Sequence, residues 1–359
     1  MGNLESGLAG QWCAVDEATY GVTPSLSTAK FYVCDSDTLK LKKVPKQSVG
    51  IYAGALVDTA ARRVITEYSA GGGLVMDLPQ RYMQQWLFRM LGSYGQTPSA
   101  LTEDGSTGAY KAVHTDGPLE GHTFALQAGR PTVDGGTVEP ATYTGCKISE
   151  WELTAALGEI AKLNLTVEAR NELMGTNLDP LNGSLPGLQA FSAPPGGVFY
   201  WVGASLYYGG TPSTTSGVTT LASPTLAGNV KGSMSLKYSI PYDLERYAPN
   251  VAPYRNEPLQ NGTRKVTGQF EVEFLSAETY YNAYAADTAT SIEFQFLGPA
   301  IGTGSDIATF SILCSNIRLE GESPSVEGPA VLSQTVPFTV LRDGINNIVQ
   351  ATYITLDSS

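Results

Sequence analysis

The sequence predicts a mainly β protein built from two related units in tandem, and three observations carry this prediction. Most of the 359 residues fall in short alternating runs rich in Val, Ile, Thr, Tyr and Phe, bounded by Gly, Pro, Asn and Asp. Only two segments have helical periodicity. The order of strands and helix in the first half recurs in the second half, as an internal duplication would produce.

The predicted strands alternate apolar with polar residues, which is typical of antiparallel strands that turn one face to a core. Gly (39) and Pro (21) are frequent and predict many turns between the strands. The clearest strands cover residues 147–153, 163–169, 232–240, 266–274, 292–297, 308–313 and 336–341.

Two segments predict short helices. The first covers residues 77–91, where Asp77 is a capping residue and Pro79 stands in the first turn, in which its missing N–H is tolerated. The second covers residues 276–286 and is capped by Ser276. Each helix carries one apolar or aromatic side, so we expect both to cover the strand layer rather than to bind a partner.

The repeat is seen in four pairs of segments that follow the same order in both halves. Residues 62–66, 123–126, 141–143 and 165–167 match residues 264–268, 292–295, 308–310 and 338–340. The number of residues between matched segments decreases once, after the helix. An extra polar loop at residues 95–121 in the first half explains this decrease. A second polar segment, residues 209–229, lacks apolar anchors, so we expect both to be mobile surface insertions.

These features divide the chain into four predicted parts. They are an N-terminal arm at residues 1–28, a first β unit at 29–175, a Pro- and Gly-rich linker at 176–197 and a second β unit at 198–359.

Composition excludes several classes of protein. A net charge of −12 argues against a protein that grips the phosphate backbone of nucleic acid, which needs a basic surface. No apolar run is long enough for a transmembrane helix, and the start of the chain does not resemble a signal peptide. The four cysteines form no C-x-x-C pair, so we expect free buried thiols in a reducing compartment.

The sequence offers no convincing catalytic group or cofactor site. Residues 71–73 and 302–304 are glycine-rich, but they lack the features of a phosphate loop and are predicted to be turns. His114 and His122, with Asp116 and Glu120 between them, could hold zinc, but their spacing is not that of a known zinc site. We therefore expect a structural or binding protein, not an enzyme, without a metal or cofactor.

Three segments carry a family resemblance: residues 17–24, residues 129–166 around the run Tyr143–Gly145–Cys146, and residues 257–268 with Asn261–Gly262–Thr263. In these segments, and in their order, the chain resembles the major tail tube proteins of long, non-contractile-tailed bacteriophages. The resemblance extends over nearly the whole chain, from about residue 10 to residue 353.

The resemblance implies a fold and an assembly. Each unit is expected to be a small β-sandwich or barrel with one flanking helix, and six units close a ring whose sheets join. Because this chain has two units, it resembles duplicated members in which three chains form a pseudo-hexameric ring. Rings stack into a tube that conducts DNA, and the acidic composition suits a lumen that DNA passes without specific binding.

The resemblance also implies a location and partners. The protein is expected in the virion tail after assembly in the cytoplasm of the bacterial host, with no membrane association. A tape measure protein and tail terminator and initiator proteins are the implied partners, and no cofactor is implied.

Two long segments, residues 44–64 and 242–266, are the predicted assembly sites because they combine aromatic residues with Arg, a composition enriched at interfaces. We expect them to reach the acidic face of the neighbouring ring; solvated hairpins are the alternative. An Arg255→Glu variant is then expected to block tube growth and leave the fold intact. The candidate residues are Lys46, Tyr52, Asp58, Arg62, Arg63, Glu245, Arg246, Tyr254, Arg255, Glu257, Arg264 and Lys265.

Acidic residues at alternate strand positions are candidates for the lumen lining, although the sequence leaves open which sheet face meets the lumen. They are Glu150, Glu152, Glu271, Glu273 and Glu293. The alternative function is a soluble β-rich binding module, such as a virion decoration or carbohydrate-binding protein. A carbohydrate binder would expose Trp, whereas the contexts of Trp12, Trp86, Trp151 and Trp201 predict burial.

Overall fold

The computed structural model describes residues 7–50, 53–54, 56–101, 108–133, 136–175, 187–228, 230–247, 253–276, 280–302, 305–321, 323 and 331–358. It confirms a mainly β protein with two short α-helices. Every segment predicted above as one of the clearest strands is a strand.

The first half, residues 7–175, holds eleven of the described strands and the longer helix. The strands are β1 (Gln11–Asp16), β2 (Lys30–Tyr32), β3 (Cys34–Asp37), β4 (Lys40–Gln47), β5 (Arg63–Asp77), β6 (Gly92–Ala100), β7 (Tyr110–Asp116), β8 (Phe124–Pro131), β9 (Val138–Ala156), β10 (Lys162–Ala169) and β11 (Asn171–Met174). Helix α1 (Met83–Leu91) follows β5. Short 3-10 turns lie at Gly7–Ala9, Leu26–Thr28 and Ala60–Arg62.

The second half, residues 187–358, holds the remaining described elements. Its strands are β12 (Ala204–Tyr208), β13 (Thr211–Thr215), β14 (Val218–Ala222), β15 (Thr225–Leu226), β16 (Val230–Ser239), β17 (Lys265–Glu273), β18 (Thr290–Ala300), β19 (Ile307–Leu319), β20 (Ser333–Val340) and β21 (Val349–Thr355). Helix α2 (Tyr281–Ala285) follows β17, and a 3-10 turn lies at Trp201–Gly203.

The strands pair in the same order in the two halves. In the first half the order is β3 and β4, then β5, β10, β9, β8 and β1. In the second half it is β16, then β17, β20, β19, β18 and β12. Short strand β11 adds to β9 on the other side, and β21 adds to β19 in the same way.

Strand β9 bends at Gly145 and so takes part in two layers. Before the bend it pairs with β8 and β11, and after the bend it pairs with β10. Gly145 has φ +62, and a Cβ there would lie 2.7 Å from the Tyr20 ring. Only glycine fits both the left-handed backbone and this contact, so the position fixes the bend.

A single hydrophobic core extends through both halves. Trp86 of α1 packs edge-on against Phe124 of β8, with ring centroids 5.4 Å apart. Trp151 of β9 stacks on Tyr238 of β16, with centroids 5.2 Å apart, and so joins the two halves. The core in turn explains the alternating burial of the strands, since apolar side chains occupy every second position.

The helices are shorter than the sequence predicts, and neither predicted cap is used. Strand β5 continues through Asp77, and α1 begins only at Met83. The carboxylate of Asp357, from the far end of the chain, accepts the Tyr82 N–H at 2.6 Å and so satisfies a backbone donor at the start of the helix. The second helix begins after Tyr280, and residues 277–279 lie outside the described part of the chain.

The two expected mobile loops are largely ordered hairpins. Strands β6 and β7 occupy 13 of the 27 residues at 95–121, and β13 and β14 occupy part of residues 209–229; residues 102–107 and 229 lie outside the described part. These polar strands were not predicted because they are held by contacts with residues that are distant in the sequence. The other correction concerns residues 71–73, which lie inside β5 and not in a turn.

Candidate assembly interface

The two halves share a strand ladder. Strand β16 of the second half pairs antiparallel with the last part of β9, and Leu236 lies opposite Leu153. Lys237 Nζ lies 2.8 Å from Glu150 Oε1, on the polar side of the same ladder. The ladder therefore combines apolar packing on one face with an ion pair on the other.

This ladder makes one continuous sheet of β5, β10, β9, β16, β17 and β20, with an apolar face and a polar face. Lys237 lies opposite Thr267 of β17, so these two residues lie on the same face of the sheet, and alternate residues of β17 follow them on that face. Four of the five lumen candidates share the polar face: Glu150, Glu152, Glu271 and Glu273. The fifth, Glu293, stands on β18 outside these strands, where burial raises its pKa.

Each half carries a long connection at the same place in its strand order. We call residues 40–71 the first hairpin, because Lys40 pairs with Gly71 at its base, and residues 239–265 the second hairpin, because Ser239 pairs with Lys265. These connections contain most residues of the two segments predicted as assembly sites. The structure places them in very different environments.

The second hairpin is packed on the first half of its own chain. Tyr254 stacks on Tyr68, with ring centroids 5.3 Å apart, and the Tyr68 N–H donates to the carbonyl of Pro253 at 2.7 Å. Arg255 is only 2% exposed and donates to the Ala169 carbonyl at 2.7 Å and to Glu168 Oε2 at 3.1 Å. The burial of Arg255 argues against the expectation that Arg255→Glu leaves the fold intact, because the new carboxylate would be buried beside Glu168.

Further contacts hold the base of the second hairpin. Glu257 accepts from Lys147 Nζ at 2.6 Å and from the Gly121 N–H at 2.7 Å, and burial lowers the pKa of Lys147. Arg264 donates to the carbonyl of Gly117 at 2.6 Å. Arg246 donates to the carbonyl of Glu257. Of the candidates in this hairpin, Glu245 and Lys265 remain exposed.

The first hairpin projects from the molecule beyond its base. Its candidates Lys46, Asp58, Arg62 and Arg63 are exposed, and Tyr52 lies outside the described residues. Leu56 is 98% exposed and Val57 82% exposed, values that a free apolar side chain reaches only on an unpacked segment. Leu56 and Val57, the described apolar residues near the tip, therefore form an apolar surface that the described part of this chain does not cover.

The charge of the first hairpin is opposite to that of the remaining chain. Residues 40–71 contain six Lys or Arg and two acidic residues, a net charge of +4, which leaves −16 on the other residues. Lysines at four of the eight positions of β4, together with Pro45, also discourage nonspecific pairing along that strand. A basic, apolar hairpin fits an acidic partner surface.

A cleft of about 930 Å³ lies between the two halves on the side of the second hairpin's base. Asp116, Arg264, Leu341, Arg342, Asn346 and Ile348 are among its lining residues. Asp116 accepts from the Val349 N–H at 2.8 Å and from the Tyr238 hydroxyl, and burial raises its pKa. Leu341 is part of the exposed apolar surface.

A second contact between the halves, which the sequence did not predict, is the pairing of β21 at the end of the chain with β7 of the first half, and we call it the clasp. The Gln350 side chain donates to the Thr219 carbonyl at 2.8 Å and accepts its N–H at 2.7 Å, so it holds the β13–β14 hairpin. No local sequence pattern predicts this contact, because the side-chain amide of Gln350 makes the two hydrogen bonds that the backbone of a neighbouring strand would otherwise make.

The residues weighed for chemistry have structural environments. His114 on β7 is fully buried, neither ring nitrogen has a hydrogen-bond partner among the described residues, and burial lowers its pKa to about 3. His122 packs edge-on against Phe88. All four cysteines are free and buried, as predicted. Trp86 and Trp151 are buried, and Trp12 and Trp201 pack against the core.

The strand ladder between the two halves, the exposed hairpin and the cleft are surfaces suited to assembly. The chain belongs to the phage tail tube protein family: the family model matches residues 7–340 and so confirms the resemblance. A comparison with curated proteins gave no match. In the described part of the chain, no helix is long and apolar enough to cross a membrane. The protein is thus a structural component of the phage tail.

Proposed function

We propose that this protein forms the tube of a long, non-contractile tail, in which three chains close each ring and stacked rings surround a lumen for DNA. The observation that carries this proposal is the β9–β16 ladder between two halves with the same strand order. A contact between similar units within one chain is a template for the contact between units of neighbouring chains. Repeating it around an axis gives a closed ring, the common outcome of head-to-tail association.

The template identifies the edges that would meet between chains. Thr166 of β10 lies opposite Glu150, and Thr339 of β20 lies opposite Arg318, so Arg318 of the second half corresponds to Glu150 of the first. Glu150 begins the part of β9 that receives β16. Strand β20 occupies one edge of Arg318 and Leu319, and within the described residues no strand pairs with the opposite edge from Arg318 to Gly321, which corresponds to the edge of β9 that receives β16. That edge is open to another chain.

The matching edge lies on β3. Its Asp37 pairs with Leu74 of β5, as Leu236 of β16 pairs with Gly268 of β17. Among the described strands β3 pairs with β5 alone, whereas β16 also pairs with β9. In the proposed ring, β3 of one chain adds to residues 318–321 of the next and closes the sheet edges, which an isolated sheet leaves open.

The proposed ring turns the polar face of the continuous sheet to the lumen. Glu150, Glu152, Glu271 and Glu273 then line the passage and repel the phosphates of DNA, so that DNA moves without adhering. Glu293 is not among the lining residues. Stacking of rings, with a tape measure protein inside and terminator and initiator proteins at the ends, completes the proposed assembly.

Electron microscopy of the purified protein over a range of concentrations tests this function. End-on averages are expected to show hollow rings with six lobes, and the mass of an isolated ring should equal three chains. Six chains per ring would contradict the pseudo-hexamer and keep the tube. Compact single chains at every concentration, with the natural initiator complex supplied, would overturn the proposed function.

A further inference from the structure

We propose that the cleft between the two halves receives the tip of the first hairpin from a neighbouring chain of the same ring. This inference rests on the proposed ring and adds the residues that lock its chains together. It follows from comparing the surface on which the second hairpin is packed with the corresponding surface of the second half.

The strand registers establish which residues correspond. Thr166 of β10 pairs with Gly73 of β5, and Thr339 of β20 pairs with Thr267 of β17. Counting along both strands from these pairs, the surface of Tyr68, Glu168 and Ala169 corresponds to that of Gly262, Leu341 and Arg342. The last two residues line the cleft, and the first is next to its lining residue Thr263.

The two corresponding surfaces differ in one respect. In the first half, Tyr254 and Arg255 of the second hairpin cover the surface through the stack on Tyr68 and the hydrogen bonds to Glu168 and Ala169. In the second half, the surface is an open cleft of about 930 Å³. The element that corresponds to the second hairpin is the first hairpin, and its described residues beyond the base are mostly exposed.

A second copy of this chain is the occupant that the net charges of the two parts of the chain favour, while the cleft lining itself holds both acidic residues (Asp116, Glu120) and basic residues (Arg264, Arg342). The first hairpin carries +4, whereas the remaining chain carries −16. Leu56 and Val57 at the tip supply apolar side chains for the apolar part of the cleft around Leu341. Exposed Glu120 at the rim can accept from the basic residues of the hairpin. The cleft would thus be completed only by the next chain.

Chemical crosslinking of a double variant, Leu56→Cys with Leu341→Cys, tests this inference. The native cysteines do not compete for the reagent because all four are buried. Assembled protein is treated with a short bis-maleimide, denatured and separated by size. If the hairpin docks within the ring, each chain is crosslinked to the next. The products then form a ladder of sizes on the gel, and this ladder ends at three chains because the ring is closed.

Controls and other outcomes separate this inference from the proposed function. Each single variant, and the pair Leu56→Cys with Leu157→Cys on the exposed tip between β9 and β10, should give no ladder. A ladder longer than three chains places the hairpin in the next ring and overturns the inference, while the tube stands. Tubes seen by microscopy without a ladder also overturn it. Failure of both assembly and crosslinking overturns both proposals.

Discussion

The two hairpins occupy the same position in halves with the same strand order, yet one is packed and the other projects. The second hairpin places Arg255 in a buried contact with Glu168 and the Ala169 carbonyl. The first hairpin leaves Leu56 and Val57 almost fully exposed. In the proposed ring, such a hairpin lies on the adjacent unit. The second hairpin finds that unit within its chain, and the first does not.

The largest expected effect sharpens this comparison at the exposed hairpin. Leu56→Asp combined with Val57→Asp should abolish assembly, because two carboxylates cannot replace apolar contacts at an interface. The free energy of unfolding should change by less than about 0.5 kcal/mol, as for other exposed sites. Sedimentation velocity measures assembly, and urea unfolding measures stability.

Val202 gives a matched control for this pair, because it is 83% exposed and lies outside both hairpins. A Val202→Asp variant should assemble normally. Normal tubes from the hairpin variant would contradict the role of the first hairpin in assembly.

At the packed hairpin, removal of one charge should lower stability. Arg255→Met keeps most of the side-chain volume but leaves Glu168 without its partner, at a cost of about 3 kcal/mol. Arg63→Met in the exposed first hairpin should cost less than about 0.5 kcal/mol. Urea unfolding of both variants measures the contrast, and equal losses would show that the two hairpins contribute alike.

The clasp between the halves should weaken in acid. His114 is neutral when folded because burial lowers its pKa from 6.5 to about 3, whereas the unfolded chain binds the proton below about 6.5. Its contribution is therefore fully present at neutral pH and is lost as the pH falls from about 6.5 towards about 3. At about pH 4 the loss is about 3 kcal/mol.

A His114→Phe variant isolates this effect, because it keeps a buried ring against Tyr94 and has no proton to bind. Unfolding by urea is measured for both proteins between neutral pH and about pH 4. The difference in their free energies of unfolding should change with pH by the stated amount. A constant difference would show that His114 does not protonate on unfolding.

The smallest effect concerns the stack between Tyr254 and Tyr68. The two single Ala variants and the double variant form a thermodynamic cycle, and a coupling of about 1 kcal/mol is expected from the ring contact. Additive losses would mean that the second hairpin is held by Arg255 and its backbone contacts without the stack.

Local pattern was sufficient for the clearest strands and for the family, but not for the long-range contacts. Alternation in residues 163–169 predicts β10, because burial itself produces that pattern. The helix start at Met83 could not be predicted, since the carboxylate at that start comes from Asp357 near the other end of the chain. The polar hairpins were predicted as mobile loops because Gln350 and β21, which order them, are distant in sequence.

The assembly role of the two segments stays a prediction, and the sequence could not place their contacts within the chain for the same reason. The composition of the two segments indicated contact surfaces, and a contact does involve Arg255 and Tyr254. Composition could not tell a contact within the chain from one between chains. In the proposed ring, that distinction depends on which unit lies next to each hairpin, and the inference rests on the strand pairing of the two halves.

The β9–β16 ladder has a consequence for the particle after it leaves the cell. Because both strands belong to one polypeptide, the ladder forms at an effective concentration fixed by the connecting chain and not by the amount of protein in solution. Dilution into a large volume cannot displace this equilibrium. In the proposed ring, every second contact between units would therefore be unaffected by dilution, and dilution would weaken only the contacts between chains.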